Sequence, residues 1–462
     1  MQYPTTGPAL DHQMRALQEA GLKPGHCWWM DPGAGKTFTA IAEAGYLYEQ
    51  GLIDGVLIIA PLGPHMQWGE EQFPLWANYQ WTWVHNKMTK RQQNSYFRVT
   101  NRPGLAVAAI NFDTVWRKSG IEFVNRFMAI NPRIYLVIDE SHKIKDPKAK
   151  RSKEIKKIAE RATYRRALSG TPLLNGLEDL FNQYETIQPG LTGYRTFTTF
   201  KHHYTIQRPI PGARSRFAQM IVGYQNEDEL KERAQPYVTR VKAEEFMKGE
   251  LPTFSKEWIM MENKEWIAAY NQVRDEALLE LENVDIEVEN ALGILQKLQQ
   301  IACGFIYTPE GEAIWFDTGR VQRAMDLLAG LDEPVILWTP YRALLRPLRE
   351  AMAETDRQVY GQSSVEQWKE DPTGVLIGYQ GSGLGVGMNL QHAAAAIYLG
   401  NTFSAEHRWQ SIKRIDRIGQ SRQVRIWDMV TPGTVDEKVL KALDAKENLA
   451  VNNVDALRSI LR

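Results

Sequence analysis

CWWMDPGAGKTFTAIAEAGYLY, residues 27–48, sets a short apolar run against a glycine turn and then a helical pattern. Cys27 to Met30 reads as the end of a buried strand, Gly33 and Gly35 permit a tight turn, and the alanines and aromatics after Thr37 recur at helical spacing. Strand, turn and helix in that order make a βα unit, and such units build parallel sheets. The alternation continues outward. VLIIA (56–60), LAVAAI (105–110) and IYLVI (134–138) form one set of strand-like runs; VILWT (335–339), VLIG (375–378), AIYL (396–399) and VRIWD (424–428) form another. Two sets predict an α/β protein of two lobes, each a parallel sheet covered by helices.

From about Gly190 to Gly311 the texture changes to few strand signals and long helical patterns, notably residues 263–302. This predicts helical insertions on either side of a lobe boundary near Leu251-Pro252. Lobe 1 is then 1–250, with its insertion from about 190, and lobe 2 is 251–462, with its insertion to about 310 and a terminal bracing helix. The acidic stretch from Asp275 to Glu289 reads as a solvated helix face. No internal repeat is visible.

A length of 462 residues exceeds one ordinary core. With 55 basic against 55 acidic side chains the chain has no global field to attract a polyanion, so any nucleic-acid contact must come from local patches. Cys27 and Cys303 lack metal-ligand spacing and read as reduced thiols packed in cores. The N-terminus lacks a signal-peptide pattern, and no apolar run is long enough to span a bilayer, so a soluble intracellular protein is expected.

The chemistry starts in the glycine turn. Glycines let backbone N–H groups approach phosphate oxygens, a helix N-terminus favours anions, Lys36 can reach β and γ phosphates, and Thr37 can hold Mg²⁺. Met30 stands where the full GxxxxGK[ST] pattern has glycine. The complementary segment is LVIDESHKIKD (136–146), where a strand ends on two adjacent acids. Such neighbours repel unless a cation or a proton-transfer task occupies them. Asp139 is therefore expected to hold the nucleotide's Mg²⁺ and Glu140 to orient and deprotonate an attacking water. His142 is either a packed histidine or a coupling element. ATP and Mg²⁺ are the expected cofactors.

Two more segments fit. RRALSGTPLLNGLEDLF (165–181) contains Ser169 and Thr171, which either cap the following helix or couple the site onward. QSIKRIDRIGQ (410–420) places Gln410, Arg414 and Arg417 at helical spacing, so both arginines can share a face. That face is either a surface salt-bridge helix or a set of cations that stabilise γ-phosphoryl charge when the lobes close. Between Lys143 and Arg166, eleven basic residues stand against Asp146, Glu154 and Glu160, which reads equally as a phosphate-contacting patch and as a solvated helix.

Together these segments resemble, in order and over nearly the whole chain, a superfamily 2 helicase-type ATPase of the Snf2 (SWI/SNF-related) family, in its compact stand-alone bacterial or phage form. LDHQMRAL (10–17) is similar to the adenine-reading Q motif, with Gln13 in the glutamine position. MDPGAGKT (30–37) resembles motif I, which implies nucleotide contacts by Pro32, Gly33, Ala34, Gly35, Lys36 and Thr37. IIAPLGPHMQW (58–68) resembles motif Ia, DESH (139–142) the DExH box and LSGTPLLN (168–175) motif III. PYVTRVKAEEFMKGELP (236–252) resembles the segment joining the lobes, GSGLGVGMNLQHA (381–393) motif V, QSIKRIDRIGQ motif VI, and TVDEKVLKAL (434–443) the bracing helix. Motif V carries two extra residues; Lys413 stands where the family often has Asp, and Asp416 where it often has His.

The resemblance implies two RecA-like lobes, catalysis by Lys36, Glu140, Arg414 and Arg417, and coupling through His142, Ser169, Thr171 and Gln410. It places Pro61, Trp68, Gly383 and Gly385 among the nucleic-acid contacts, to which the basic patch adds Lys143 and Lys145. It implies a DNA-dependent ATPase that moves along double-stranded DNA, gripping its backbone, as a nearly bare motor and a monomer. The compartment would be the cytoplasm of a bacterial or phage-infected cell, or the nucleus in a eukaryote. Two alternatives stay open: a strand-separating DNA or RNA helicase of the same superfamily, and a slow ATP-dependent nucleic-acid-binding switch.

Overall fold

The computed structural model describes the chain apart from residues 1–2, 100–101, 171, 174–175, 210–218, 247–251, 284–287, 309, 381–387, 418–419, 445–459 and 461–462, and apart from the side chains of 280–292 and 406. The chain divides into two units, Met1–Met247 and Lys248–Arg462.

In the first unit the apolar runs become strands buried on both faces. β1 (Gly25–Met30), β2 (Gly55–Ala60), β3 (Trp81–His85), β4 (Leu105–Asn111), β5 (Ile134–Asp139) and β6 (Tyr164–Ser169) are followed by an antiparallel hairpin, β7 (Thr205–Pro209) with β8 (Gln219–Tyr224), and by β9 (Val238–Val241). The main sheet runs β3-β4-β2-β5-β6-β1-β9, every pair parallel. Alternation explains why continuous apolar runs are needed. Cys27, Trp29, Leu57, Ile59, Leu136 and Ile138 face helices Lys118–Ile130, Lys150–Glu160 and Glu178–Ile187, while Trp28, Met30, Val56, Ile58, Tyr135 and Val137 face helices Asp11–Ala20 and Lys36–Glu49. Each such side chain contributes about 1.5–3 kcal/mol of burial.

Register then sets the position of the chemistry. Asp139 lies beside Leu168, and Leu168 beside Trp28. The carboxyl ends of β5, β6 and β1 are therefore level, so the loop after Met30, the DESH segment and the SGTP turn leave the same edge of the sheet, where ligands of open α/β sheets bind.

The second unit repeats the plan. β10 (Thr253–Trp258), the antiparallel pair β11 (Phe305–Tyr307) and β12 (Ala313–Trp315), β13 (Val335–Thr339), β14 (Val359–Tyr360), β15 (Val375–Tyr379), β16 (Ala395–Tyr398) and β17 (Arg425–Val430) give a parallel sheet ordered β10-β17-β16-β13-β15-β14 beside the small hairpin. Its two faces carry separate cores, one on Val335 and Leu337, the other on Ile336 and Trp338. The expectation of two parallel α/β lobes holds. No helix of the described residues is long and apolar enough to cross a membrane.

Three readings change. The stretch from 190 to 311 contains five strands, β7 to β11. β9 is four residues with polar Thr239 and Arg240 at its centre, and β10 is an exposed edge strand, so neither shows the apolar run that marks a buried strand. The single helical pattern over 263–302 is two helices, Lys264–Asn283 and Val288–Ala302. Within its acidic stretch Asp275 and Glu276 are exposed, and the side chains from 280 onward lie outside the described residues. Finally, Arg166 is no surface cation. It is fully buried, 2.6 Å from Glu43, whose other carboxylate oxygen accepts from the Tyr135 hydroxyl at 2.7 Å.

Candidate active site

The glycine turn expected to be the phosphate loop is Asp31 to Gly35, between β1 and the helix Lys36–Glu49. Gly33 (φ 91°) and Gly35 (φ 84°) hold left-handed backbone, which a side chain disfavours. At Gly35 space forbids one as well: a Cβ would lie 2.2 Å from Gln13 Nε2. Gln13 itself is buried; its Oε1 accepts from the Leu10 N–H at 3.0 Å, and its Nε2 donates to the Ala34 carbonyl at 3.1 Å. The helix has no side-chain cap and no acid in its first turn. A helix start without a capping side chain or an acid suits an anion there. Lys36 Nζ donates to the Met30 carbonyl at 2.8 Å.

The acid pair stands at the end of β5. Asp139 Oδ2 accepts from the Trp68 indole N–H at 3.1 Å, and Oδ1 from the Glu140 backbone N–H at 3.1 Å. Burial and the neighbouring Glu140 raise the Asp139 pKa to about 6, against the pull of Lys36 and of these two donors. Glu140 adopts left-handed backbone at φ 54°, one of two described non-glycine residues to do so. Left-handed backbone at a non-glycine residue is sparsely populated and clusters at functional sites. His142 is buried, with Nδ1 at 3.4 Å from Glu140 Oε2 and 3.3 Å from Ser169 Oγ.

These contacts bring together residues far apart in sequence. Gly170 approaches Pro32 so closely that a Cβ would lie 2.8 Å from Pro32 Cδ, so the SGTP turn packs on the phosphate loop. Helix Glu178–Ile187 ties the acids to the same turn: Ser141 Oγ donates to Gln183 Oε1 at 2.7 Å, and Gln183 Nε2 donates to the Pro172 carbonyl at 2.8 Å. Asp179 pairs with Lys145 at 3.3 Å, and Asn182 donates to the Ile144 carbonyl at 2.6 Å. Sequence reasoning missed Gln183, Asp179 and Asn182, which read as ordinary helix polars. It also missed His12, whose ring bonds the Ala34 carbonyl at 2.8 Å.

The nucleic-acid contacts fare less well. Trp68 is 3% exposed, with its indole N–H on Asp139, so it lies against the acid pair and presents no surface to a polymer. Lys145 is held by Asp179. Pro61 and Lys143 are half-buried, while Lys148, Lys150, Lys153, Lys157 and Arg161 are exposed. Thr171, Gly383 and Gly385 lie outside the described residues.

In the second unit, Gln410 and Arg414 sit on helix Ala405–Ile415, and Arg417 lies past its end. The two arginines therefore do not share a helix face. The helix stops at Asp416 (φ −87°, ψ 87°), whose carboxylate meets Lys413 Nζ at 2.5 Å. The two departures from the family pattern thus pair with each other. Arg417 is half-buried, burial lowers its pKa, and among the described residues no acid pairs with it.

The donor set suits magnesium. Mg²⁺ takes hard oxygen ligands and commonly needs only one or two from protein beside substrate phosphates, and Thr37 and Asp139 offer a hydroxyl and a carboxylate next to a loop shaped for phosphate. The described residues hold no cluster of three or more His, Cys, Asp or Glu of the kind an all-protein metal cage requires.

A glycine turn and a strand-end acid pair on one sheet edge, with a second parallel sheet in the other unit, define a protein of two parallel α/β lobes. More particularly, the chain belongs to the SNF2-related family, whose domain model matches residues 28–304. It is 23% identical to the DNA excision repair protein ERCC-6-like of Bos taurus, over 91% of this chain and 39% of that protein. It is 22% identical to the SNF2 domain-containing protein ENL1 of Oryza sativa subsp. japonica, over 89% of this chain and 47% of that one. The chain thus spans less than half the length of these relatives. Among solved structures, the Sulfolobus solfataricus SWI2/SNF2 ATPase core in complex with dsDNA is similar over 96% of this chain and 92% of that one, at 20% identity and a TM-score of 0.44.

Proposed function

We propose that this protein is a nucleic-acid-stimulated ATPase that couples hydrolysis to movement along double-stranded DNA. The observation that carries the reading is the shared sheet edge, where the uncapped helix at Lys36, the pair Asp139 and Glu140, and Ser169 leave three strands in register. Gln13 reads adenine beside the loop it already braces. The loop N–H groups and Lys36 bind the β and γ phosphates, and Thr37 and Asp139 hold Mg²⁺. The bound ion neutralises phosphate charge. Glu140 orients the attacking water and takes its proton. His142, touching both Glu140 and Ser169, passes the state of the acid site to the SGTP turn. Arg417, desolvated and without an acidic partner among the described residues, and Arg414 are the second unit's candidate cations for phosphoryl charge.

Duplex DNA is held through its backbone, and the exposed lysines of Lys150–Glu160 are candidates for that contact. The deciding experiment is ATP turnover titrated separately with duplex DNA, single-stranded DNA and RNA at fixed salt, since salt controls every such affinity. Stimulation by duplex DNA with triplex displacement, both lost in Glu140→Gln while ATP binding persists, is the expected result. Strand separation on a forked substrate without duplex stimulation would replace the translocase by a helicase.

A further inference from the structure

Trp68 follows β2 by way of a turn and the short helix Pro64–Gln67, and it opens a π-helical turn, Trp68–Gln72. Such turns are rare and are frequent at functional sites. From this one the indole N–H ends 3.1 Å from Asp139 Oδ2. The turn is locked from outside. Gly69 sits under the ring of Trp83, and a Cβ on it would lie 2.1 Å from Trp83 Cδ2. Phe73, at the end of the turn, is fully buried against Trp81 at 5.1 Å between ring centres. Since the Glu140 backbone N–H takes Oδ1, both carboxylate oxygens of Asp139 are held, one by backbone and one by the indole.

From this geometry we infer that Trp68 is a positioning residue for the metal-holding carboxylate: it fixes the Asp139 rotamer through Oδ2, leaving the other lone pairs of the carboxylate for the cation or its waters. The inference rests on the reading of Asp139 as the Mg²⁺ residue. Outer partners of this kind typically change metal affinity by roughly 10- to 100-fold when removed.

The test is Mn²⁺ binding, followed by electron paramagnetic resonance in the presence of a non-hydrolysable ATP analogue. Trp68→Phe keeps an aromatic ring and deletes the N–H. It is expected to weaken Mn²⁺ binding about tenfold, at the lower end of that range, while metal-free nucleotide affinity stays within twofold. Gly69→Ala, which must move the π turn or Trp83, is expected to weaken Mn²⁺ binding in the same direction. Mn²⁺ affinity unchanged in Trp68→Phe but lost in Asp139→Asn overturns the inference and leaves the Mg²⁺ reading intact; unchanged affinity in both overturns that reading too. If Trp68→Phe does not fold, indole ¹⁵N spectra of the native chain decide. The resonance displaced in Asp139→Asn must also move when Mg²⁺ and nucleotide are added, and a resonance that stays put refutes the role.

Discussion

Replacing Gly35 by alanine tests the phosphate loop with one methyl group. The Cβ would stand 2.2 Å from Gln13 Nε2 on a backbone at φ 84°. Two costs follow. Left-handed backbone with a Cβ costs roughly 1–2 kcal/mol. Gln13 must also leave, giving up its bonds to the Leu10 N–H and the Ala34 carbonyl at 3.0 and 3.1 Å. Each bond is worth about 0.5–1.5 kcal/mol net. The local sum is about 2–5 kcal/mol, and at about 1.4 kcal/mol per tenfold, nucleotide affinity should fall by roughly 30-fold to over 1,000-fold. The assay is titration of a fluorescent ATP analogue, with thermal melting alongside. Because the clash and the lost bonds involve the same side chain, Gly35→Ala combined with Gln13→Ala should cost less than the two single effects added. Gly35→Ala binding within threefold of wild type, or full additivity in the double variant, would refute the reasoning.

Other consequences concern the fold and its charges. His26 is buried in β1 with its pKa lowered to about 2, by burial first and then by Arg166 and Lys23; its Nε2 bonds the Thr239 hydroxyl at 2.9 Å. The unfolded chain therefore takes up a proton below about 6.5 that the folded chain refuses, and stability should fall by up to about 1.4 kcal/mol per pH unit on acidification from there. Urea unfolding against pH should show a shallower slope in His26→Asn. Arg166→Met strands the Glu43 carboxylate in the core and should cost about 3–5 kcal/mol, whereas Arg166→Met with Glu43→Leu should recover much of that loss, as chemical denaturation would show. At the second unit's helix end, Lys413→Met and Asp416→Asn should couple by about 0.5–3 kcal/mol in a double-mutant cycle; additivity would deny the pair.

Much of this site was legible in the residues alone, and the reason is local. Gly33, Gly35, Lys36 and Thr37 form a glycine turn and a helix N-terminus, which a few consecutive residues determine. Asp139 and Glu140 mark the end of a strand whose apolar run announces it. What escaped notice acts across the sheet edge. Gln183 touches both the DESH and SGTP segments yet does not stand out from its own neighbours, and Trp68, expected at the nucleic acid, instead reaches an acid 71 positions away. Arg166 shows the converse: a basic residue in a basic stretch became a core ion pair because Glu43 and Tyr135 arrive from other elements.

The amino-acid order by itself determined two parallel α/β lobes, because continuous apolar runs separated by helical periods can bury both faces only in such sheets. It also marked the glycine turn before Lys36 and the acid pair at the end of a strand. Tertiary structure alone decided which strand ends are level, that the helix carrying Arg414 stops before Arg417, and that the indole of Trp68 meets a carboxylate. Strand order and side-chain partners depend on long-range packing, which no local window of residues encodes.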